Sequence, residues 1–518
     1  MTSLVARGGR GGGPGPGYLL ALVCAAALAT GCGGGDGERN PRPAGSAAWV
    51  DPGAAALDPA GRRALAEAGV EEVFLEAATL AWDGPEPVVE EVPAAFAGAV
   101  PAGTPVTLAV REAAAPGEDV DAEAAGRRLA ELLRGLRLRA ETAGLLPVGY
   151  HLELAPGSPP GLVRAVRAAA GSALHVSAGL PPAALRSPAG LAHARELAGA
   201  ADFVVAFLYG QLPEAPDDPA AWDPERLAAD LAALETLEAD YLVGFVVVGA
   251  LHRLSAAGEE GEATTRAQLK ALAQEPALRL AIADPFAGVG RAVHTFQAQR
   301  PVRAAGWQLA PGESVRAVRT APSLVQGILE SLRTADLPHR LGELYYRVAG
   351  PEEELSLGPE ELAAATGASP PVPDLVPRLV VESLADGFVK LQLELRNRSR
   401  QSTDLAAADG NFVQVRALEG YFQRVEPGEF SRYSLWRGGR EVRPGPGWRE
   451  PDEVRLYTPM VRGGERIGGA VLELRSRGAS PAVSVAGRFF LPDGRELELP
   501  ERGGPVSHAG PVGGAGSE

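Results

Sequence analysis

Two apolar periods take turns along residues 47–367. Short alternating or continuous apolar runs predict strands at "AAWV" (47–50), "EEVFLEAATLAW" (71–82), "PVTLAVRE" (105–112), "PVGYHLEL" (147–154), "ALHVSAGL" (173–180), "ADFVVAFLYG" (201–210), "DYLVGFVVVGAL" (240–251) and "GELYYRV" (342–348). Between them apolar residues return every three or four positions, which predicts helices near 58–69, 121–143, 161–170, 188–198, 224–238 and 322–333. Such alternation implies a parallel sheet covered by helices. Eight strands favour a (β/α)8 TIM-type barrel over a doubly wound sheet, and the lack of a glycine fingerprint for a dinucleotide agrees. Segment 252–321 reads as an insertion over the C-terminal face of the barrel, with a short helix at 264–274 and strand-like pieces around it.

The pattern changes at "GASPPVPD" (367–374). Beyond it only strands are expected, as in the clean alternation of "FVKLQLELRNRS" (388–399) and the Asp-Gly hairpin of "FFLPDGRELEL" (489–499). Residues 374–500 are therefore assigned to an all-β sandwich, and the Gly-rich 503–518 to a disordered tail. "TDLAAADGN" (403–411) lacks the ligand spacing of a calcium loop and reads as a plain turn.

In a closed barrel one face of each strand meets the helices and the other faces inward. On strand four Tyr150, Leu152 and Leu154 take the helix side, so His151 and Glu153 point inward. The same reasoning turns Thr107, Ala109 and Arg111 inward on strand three, and His175, Ser177 and Gly179 on strand five. On strand eight it turns Tyr345 and Arg347 inward and Leu344, Tyr346 and Val348 outward. Branched aliphatics fill an ordinary barrel interior, so Glu153, Arg111 and Arg347 at the C-terminal end mark a candidate site. Trp82 and Tyr209, ending strands two and six, are candidate aromatic groups at its mouth.

The N-terminus adds location. Arg7 and Arg10 precede an apolar run (18–30) that ends in "ATGC", small residues before Cys32. This resembles the lipobox of bacterial lipoproteins. It implies a signal peptide over 1–31, lipid on Cys32 at the mature N-terminus, and a flexible tether over 32–46. Membrane contact is then through that lipid, in the cell envelope, with an outer-membrane or periplasm-facing location favoured. Cys24 would leave with the signal, so no thiol chemistry or disulfide is expected in the mature domains. Removing 1–31 leaves 47 basic against 65 acidic residues, a formal charge of −18. So acidic a surface argues against nucleic acid and offers no basic patch to lipid headgroups.

The stretches "GVEEVFLEAATLAW", "GYHLEL", "ADFVVAFLYG" and "GELYYRVAG" resemble a bacterial family known as domain of unknown function 3142. The resemblance implies a glycosidase-like barrel whose fourth strand carries a ladder of acids. Here His151, Glu153 and Ala155 stand at the three ladder positions, so one carboxylate remains. Glycoside hydrolysis usually needs two. Glu76, Glu112 and Asp284 are candidates for the second, and no motif places any of them. The seven histidines show no metal-binding spacing, and there is no nucleophile elbow or P-loop; no cofactor or metal is expected. Two readings follow. One is a non-catalytic, glycosidase-like envelope lipoprotein that binds glycan or an envelope partner. The alternative is a glycoside hydrolase-like enzyme using Glu153 with His151, and with Arg111, Tyr345 and Arg347 as positioning groups.

Overall fold

The computed structural model describes residues 45–505 except 51–58, 93–95, 97–99, 101, 118, 209–222, 259, 265–267, 285–290, 349–352, 368–371, 386–387, 400, 407–409, 444–449, 477–480 and 493. Cys32, the signal segment and Tyr209 lie outside the described residues, as does the tether up to residue 44. The expected barrel strands are all present: β1 (Ser46–Val50), β2 (Val70–Asp83), β3 (Pro105–Glu112), β4 (Leu146–Glu153), β5 (His175–Leu180), β6 (Phe203–Phe207), β7 (Tyr241–Val246) and β8 (Arg340–Val348). Successive strands pair in parallel, and β1 pairs with both β2 and β8. That closure makes a (β/α)8 barrel and rules out an open doubly wound sheet. β2 runs on past the barrel into an antiparallel hairpin with Glu86–Glu91.

Each strand divides its side chains between two cores. Leu108, Leu152, Val176, Val204 and Val243 pack outward against the helices, while Trp49, Phe74, Phe203, Phe207 and Leu242 pack inside the barrel. The helix Ala122–Thr142 shows how the outer layer is set. The Asp121 carboxylate accepts the N–H groups of Glu123 and Ala124 and starts the helix. Leu129, Leu133, Leu136 and Ala140 then form one buried stripe, and Tyr150 of β4 donates to the Leu133 carbonyl at 3.2 Å.

Strand eight departs from expectation. Leu344 and Tyr346 face inward, and Tyr345 packs outward, edge-on to Phe245 with ring centroids 5.2 Å apart. Consecutive tyrosines suit either environment, each with an apolar ring and a polar tip, so alternation carries no facing signal there.

The insertion leaves the end of β7 and forms a five-stranded antiparallel sheet in the order Glu260–Thr264, Ala250–Leu254, Ser314–Thr320, Arg291–Ala298, Leu278–Asp284. Its helix is Leu269–Gln274, shorter than expected, because Thr264 ends a strand and pairs with Leu251. β-Branched threonines favour that choice. Asp284 ends an edge strand of this sheet.

Beyond the helix Pro359–Thr366, a four-stranded and a six-stranded antiparallel sheet enclose Leu379, Leu391, Leu393, Val413, Val415, Leu456, Leu472 and Phe489. The last strand reaches Pro505, so Gly503–Pro505 belong to the sheet and not to a tail; residues 506–518 lie outside the described residues. Thr403 and Asp404, in the stretch read as a plain turn, do more than turn the chain. Thr403 and Asp404 are fully buried, and Arg319 of the insertion reaches both, donating to the Thr403 carbonyl (3.2 Å) and to Asp404 (3.1 Å). The ion pairs Lys270–Glu465 and Arg462–Glu354 add to this joint, as does an apolar cluster shared by Leu251, Phe296, Val315, Leu405 and Met460.

Candidate functional site

The strand register stacks the inward side chains in layers. Thr107, Gly149 and His175 lie level near the N-terminal end; Ala109, His151 and Ser177 form the next layer; Arg111 and Glu153 lie above them. The lowest layer is a closed polar cluster. The Thr107 hydroxyl bonds Glu72 and lies 2.7 Å from His175 Nε2, which is itself 3.3 Å from the Glu72 carboxylate. All three residues are buried.

His151 fills the middle layer. It has no exposed surface, and Trp49, Phe74 and Phe207 surround it at 5.4–6.4 Å between ring centroids. Nδ1 lies 2.9 Å from Ser177 Oγ. Burial, together with the nearby His175 and Arg111, pushes its pKa down to about 3. Burial thus favours the neutral imidazole at ordinary pH.

The upper layer is built on Arg111. Its Nε donates to Glu153 Oε2 at 3.0 Å, its Nη2 donates to the Tyr346 hydroxyl at 2.8 Å, and Nη2 also lies 3.6 Å from Glu76 Oε2. Burial works against the charge on Arg111, but Tyr346, Glu153 and Glu76 outweigh it, so the guanidinium is held more firmly protonated than an ordinary arginine. Of the groups expected at the mouth, Arg111, Glu153 and His151 come together. Tyr345 does not join them. Arg347 ion-pairs with Glu353 beyond β8 at 2.8 Å and is not the arginine seen beside Glu153. The sequence left Glu76 and Trp49 unplaced and turned Tyr346 outward, whereas it faces the barrel interior.

Glu112 and Trp82 serve each other. Trp82 Nε1 donates to Glu112 Oε1 at 2.8 Å, while Glu112 Oε2 accepts the Ala155 N–H (2.8 Å) and the Ser158 hydroxyl. This carboxylate ties down the loop after β4 and is fully engaged in doing so. Among the described residues no group of three or more His, Cys, Asp or Glu side chains could hold a metal ion. Nor is any described helix long and apolar enough to cross a membrane.

No family model matches the chain, and no curated protein matches it. Solved structures similar to it include the spore cortex-lytic enzyme SleL of Bacillus cereus, with 15% identity and a TM-score of 0.39 over 64% of this chain and 75% of that one. A chitinase of Chromobacterium violaceum also has 15% identity and a TM-score of 0.39, over 62% and 98% of the two chains. The GH18 chitinase ChiB of Flavobacterium johnsoniae has 11% identity and a TM-score of 0.36, over 63% and 94%. Likeness at this level carries no argument about chemistry, which rests on the residues of the barrel mouth.

Proposed function

We propose that the barrel mouth binds a saccharide without hydrolysing it, in a protein held in the cell envelope by lipid on Cys32. The observation that carries this reading is the Arg111 guanidinium between Glu76 and Glu153. A glycosidase pair needs one carboxyl free to give a proton, or a water, or a nucleophile, to the glycosidic bond. Here one cation binds both carboxylates, the third ladder position is Ala155, and Glu112 is engaged by Trp82, Ala155 and Ser158. What remains suits recognition: carboxylate acceptors, a guanidinium and a phenol beside buried aromatic rings of the barrel interior.

One observation favours the second reading, a glycoside hydrolase-like enzyme using Glu153. Adding the two contacts to the width of a guanidinium puts the Glu76 and Glu153 oxygens no more than about 9 Å apart, an upper bound that is compatible with glycosidase pairs. Arginine fills the line between them, however, where a hydrolytic site would keep room for substrate. Incubation with a panel of fluorogenic glycosides decides between the two readings. No turnover above background is expected from the wild type or from Glu153→Gln. Turnover by the wild type that Glu153→Gln abolishes would overturn the non-hydrolytic reading.

The anchor has its own check. The wild type is expected in the membrane fraction and Cys32→Ser in the soluble envelope fraction, because several acyl chains hold a protein at a bilayer where none would remain. Equal partition of the two would remove the lipid from the proposal.

A further inference from the structure

The outer face of the six-stranded sheet carries a basic strip that the acidity of the whole chain conceals. Its four central strands, in spatial order, are Arg432–Arg437, Glu453–Tyr457, Phe412–Ala417 and Ala482–Phe490. Val413, Val415, Val454 and Leu456 point into the sandwich core, so the residues alternating with them point out. On that outer face Arg432 lies level with Tyr457, Arg455 with Gln414, and Arg416 with Glu453. The three arginines thus follow one diagonal across three neighbouring strands, with neighbours roughly 7–8 Å apart, the spacing of diagonal cross-strand pairs. Arg488 lies level with Phe412 on the fourth strand.

Four arginines share one carboxylate on these strands. Glu453 is 1% exposed, and its two oxygens lie 2.8 Å from Arg455 and 3.4 Å from Arg416. The next acids stand on the two edge strands, where Glu441 is opposite Trp436, Glu498 is opposite Arg488, and Glu501 accepts the Ser484 hydroxyl. They bound the strip without filling it. Aromatic rings hold the guanidinium groups in place: Arg455 lies 3.9 Å over Trp436 and 4.9 Å from Phe412, and Arg432 lies 4.0 Å over Tyr457. Such stacking orders the side chains before a ligand arrives, so less entropy is lost on binding. Donors remain. Arg455 bonds Glu453 through Nε alone, Arg488 Nε has no hydrogen-bond partner among the described residues, and the Arg416 side chain is 44% exposed.

The chemistry of the partner follows from these groups. Guanidinium forks match planar carboxylates, and Glu453, gripped by two arginines, is the face's own example of that fit. An extended peptide would dock on a sheet edge through its backbone, whereas a sheet face offers only side chains. Arginines repeated at a fixed spacing suit a polymer whose charge recurs along its length. We propose that this face binds a linear glycan whose sugars carry carboxylates, laid along the diagonal of Arg416, Arg455 and Arg432. The site is separate from the barrel mouth and does not depend on the reading of that mouth.

The test titrates hexagalacturonate into the full-length protein by calorimetry at low salt. The wild type should bind it and should not bind its fully methyl-esterified, uncharged form. Arg416→Gln with Arg432→Gln should weaken binding by roughly tenfold or more, because two of the three charges on the diagonal are gone. Gln414→Glu places a carboxylate of nearly the same shape level with Arg455, where opposite charges do not threaten the fold, and should weaken binding similarly. Arg424→Gln with Arg466→Gln removes the same charge from exposed positions on the other sheet and should leave binding unchanged. No binding by the wild type overturns the proposal. So does binding that survives both face variants, or that falls equally in the control pair, since diffuse charge would then explain it. Tighter binding of a polyphosphate or an oligoglutamate than of hexagalacturonate would show that the occupant is not a carboxylated glycan.

Discussion

Gly149→Ala is expected to destabilise the protein by about 3 kcal/mol or more, at the upper end of what overpacking a core costs. A methyl group on Gly149 would lie 2.1 Å from both Cδ2 and Nε2 of His175, far inside van der Waals contact. His175 cannot simply turn away. Its Nε2 is held by Thr107 and Glu72, its ring packs on Phe203 at 5.3 Å, and it is buried. Moving the ring would separate the members of a buried polar cluster, and each group left unmatched carries its own desolvation cost. Chemical denaturation measures the loss. A double-mutant cycle with His175→Ala gives it a cause: Gly149→Ala should cost markedly less once the imidazole is gone. Similar costs in both backgrounds would show that the clash is not what makes glycine necessary. The opening glycine of "GYHLEL" is thus explained by its neighbour on β5 and not by any ligand.

This strand also shows what the sequence made legible. On β4 the two faces meet different surroundings, helices on one side and barrel interior on the other, so apolar and polar residues alternate and the facing of His151 and Glu153 could be read. The same logic worked on β3 and β5. It failed on β8, where Tyr345 and Tyr346 are chemically equivalent and the choice between them falls to packing. It was silent on Glu76 for a different reason. The pairing of β2 with β3 shifts between Glu76 and Ala78, so the period of two is broken just where the second carboxylate enters the site. Trp49 lies in a strand too short to show a period.

The joint between the insertion and the sandwich was beyond sequence reasoning altogether, because Arg319 and Asp404 are brought together only by the fold. Their separation is expected to have the second large effect. Asp404→Ala should cost about 3–5 kcal/mol, the range for breaking a buried ion pair by removing one partner. Arg319 is 3% exposed at its side chain and Asp404 0%, so solvent cannot replace the lost carboxylate. The Thr403 carbonyl and Glu361, 3.5 Å away, would remain as partners. Burial tends to raise the pKa of Asp404, but His294, Arg319 and the Leu405 N–H outweigh it and hold it below the ordinary carboxylate value. Its contribution is therefore present above about pH 4, where an unfolded aspartate is ionised, and is lost as the pH falls through the depressed value. Denaturation near neutral pH should show the full loss in Asp404→Ala, and the gap to the wild type should narrow under acid conditions. Arg319→Met with Asp404→Leu, which replaces the pair by apolar groups, should recover much of the stability. If the double variant is no better than Asp404→Ala, the cost lies in packing at the joint and not in the stranded charge.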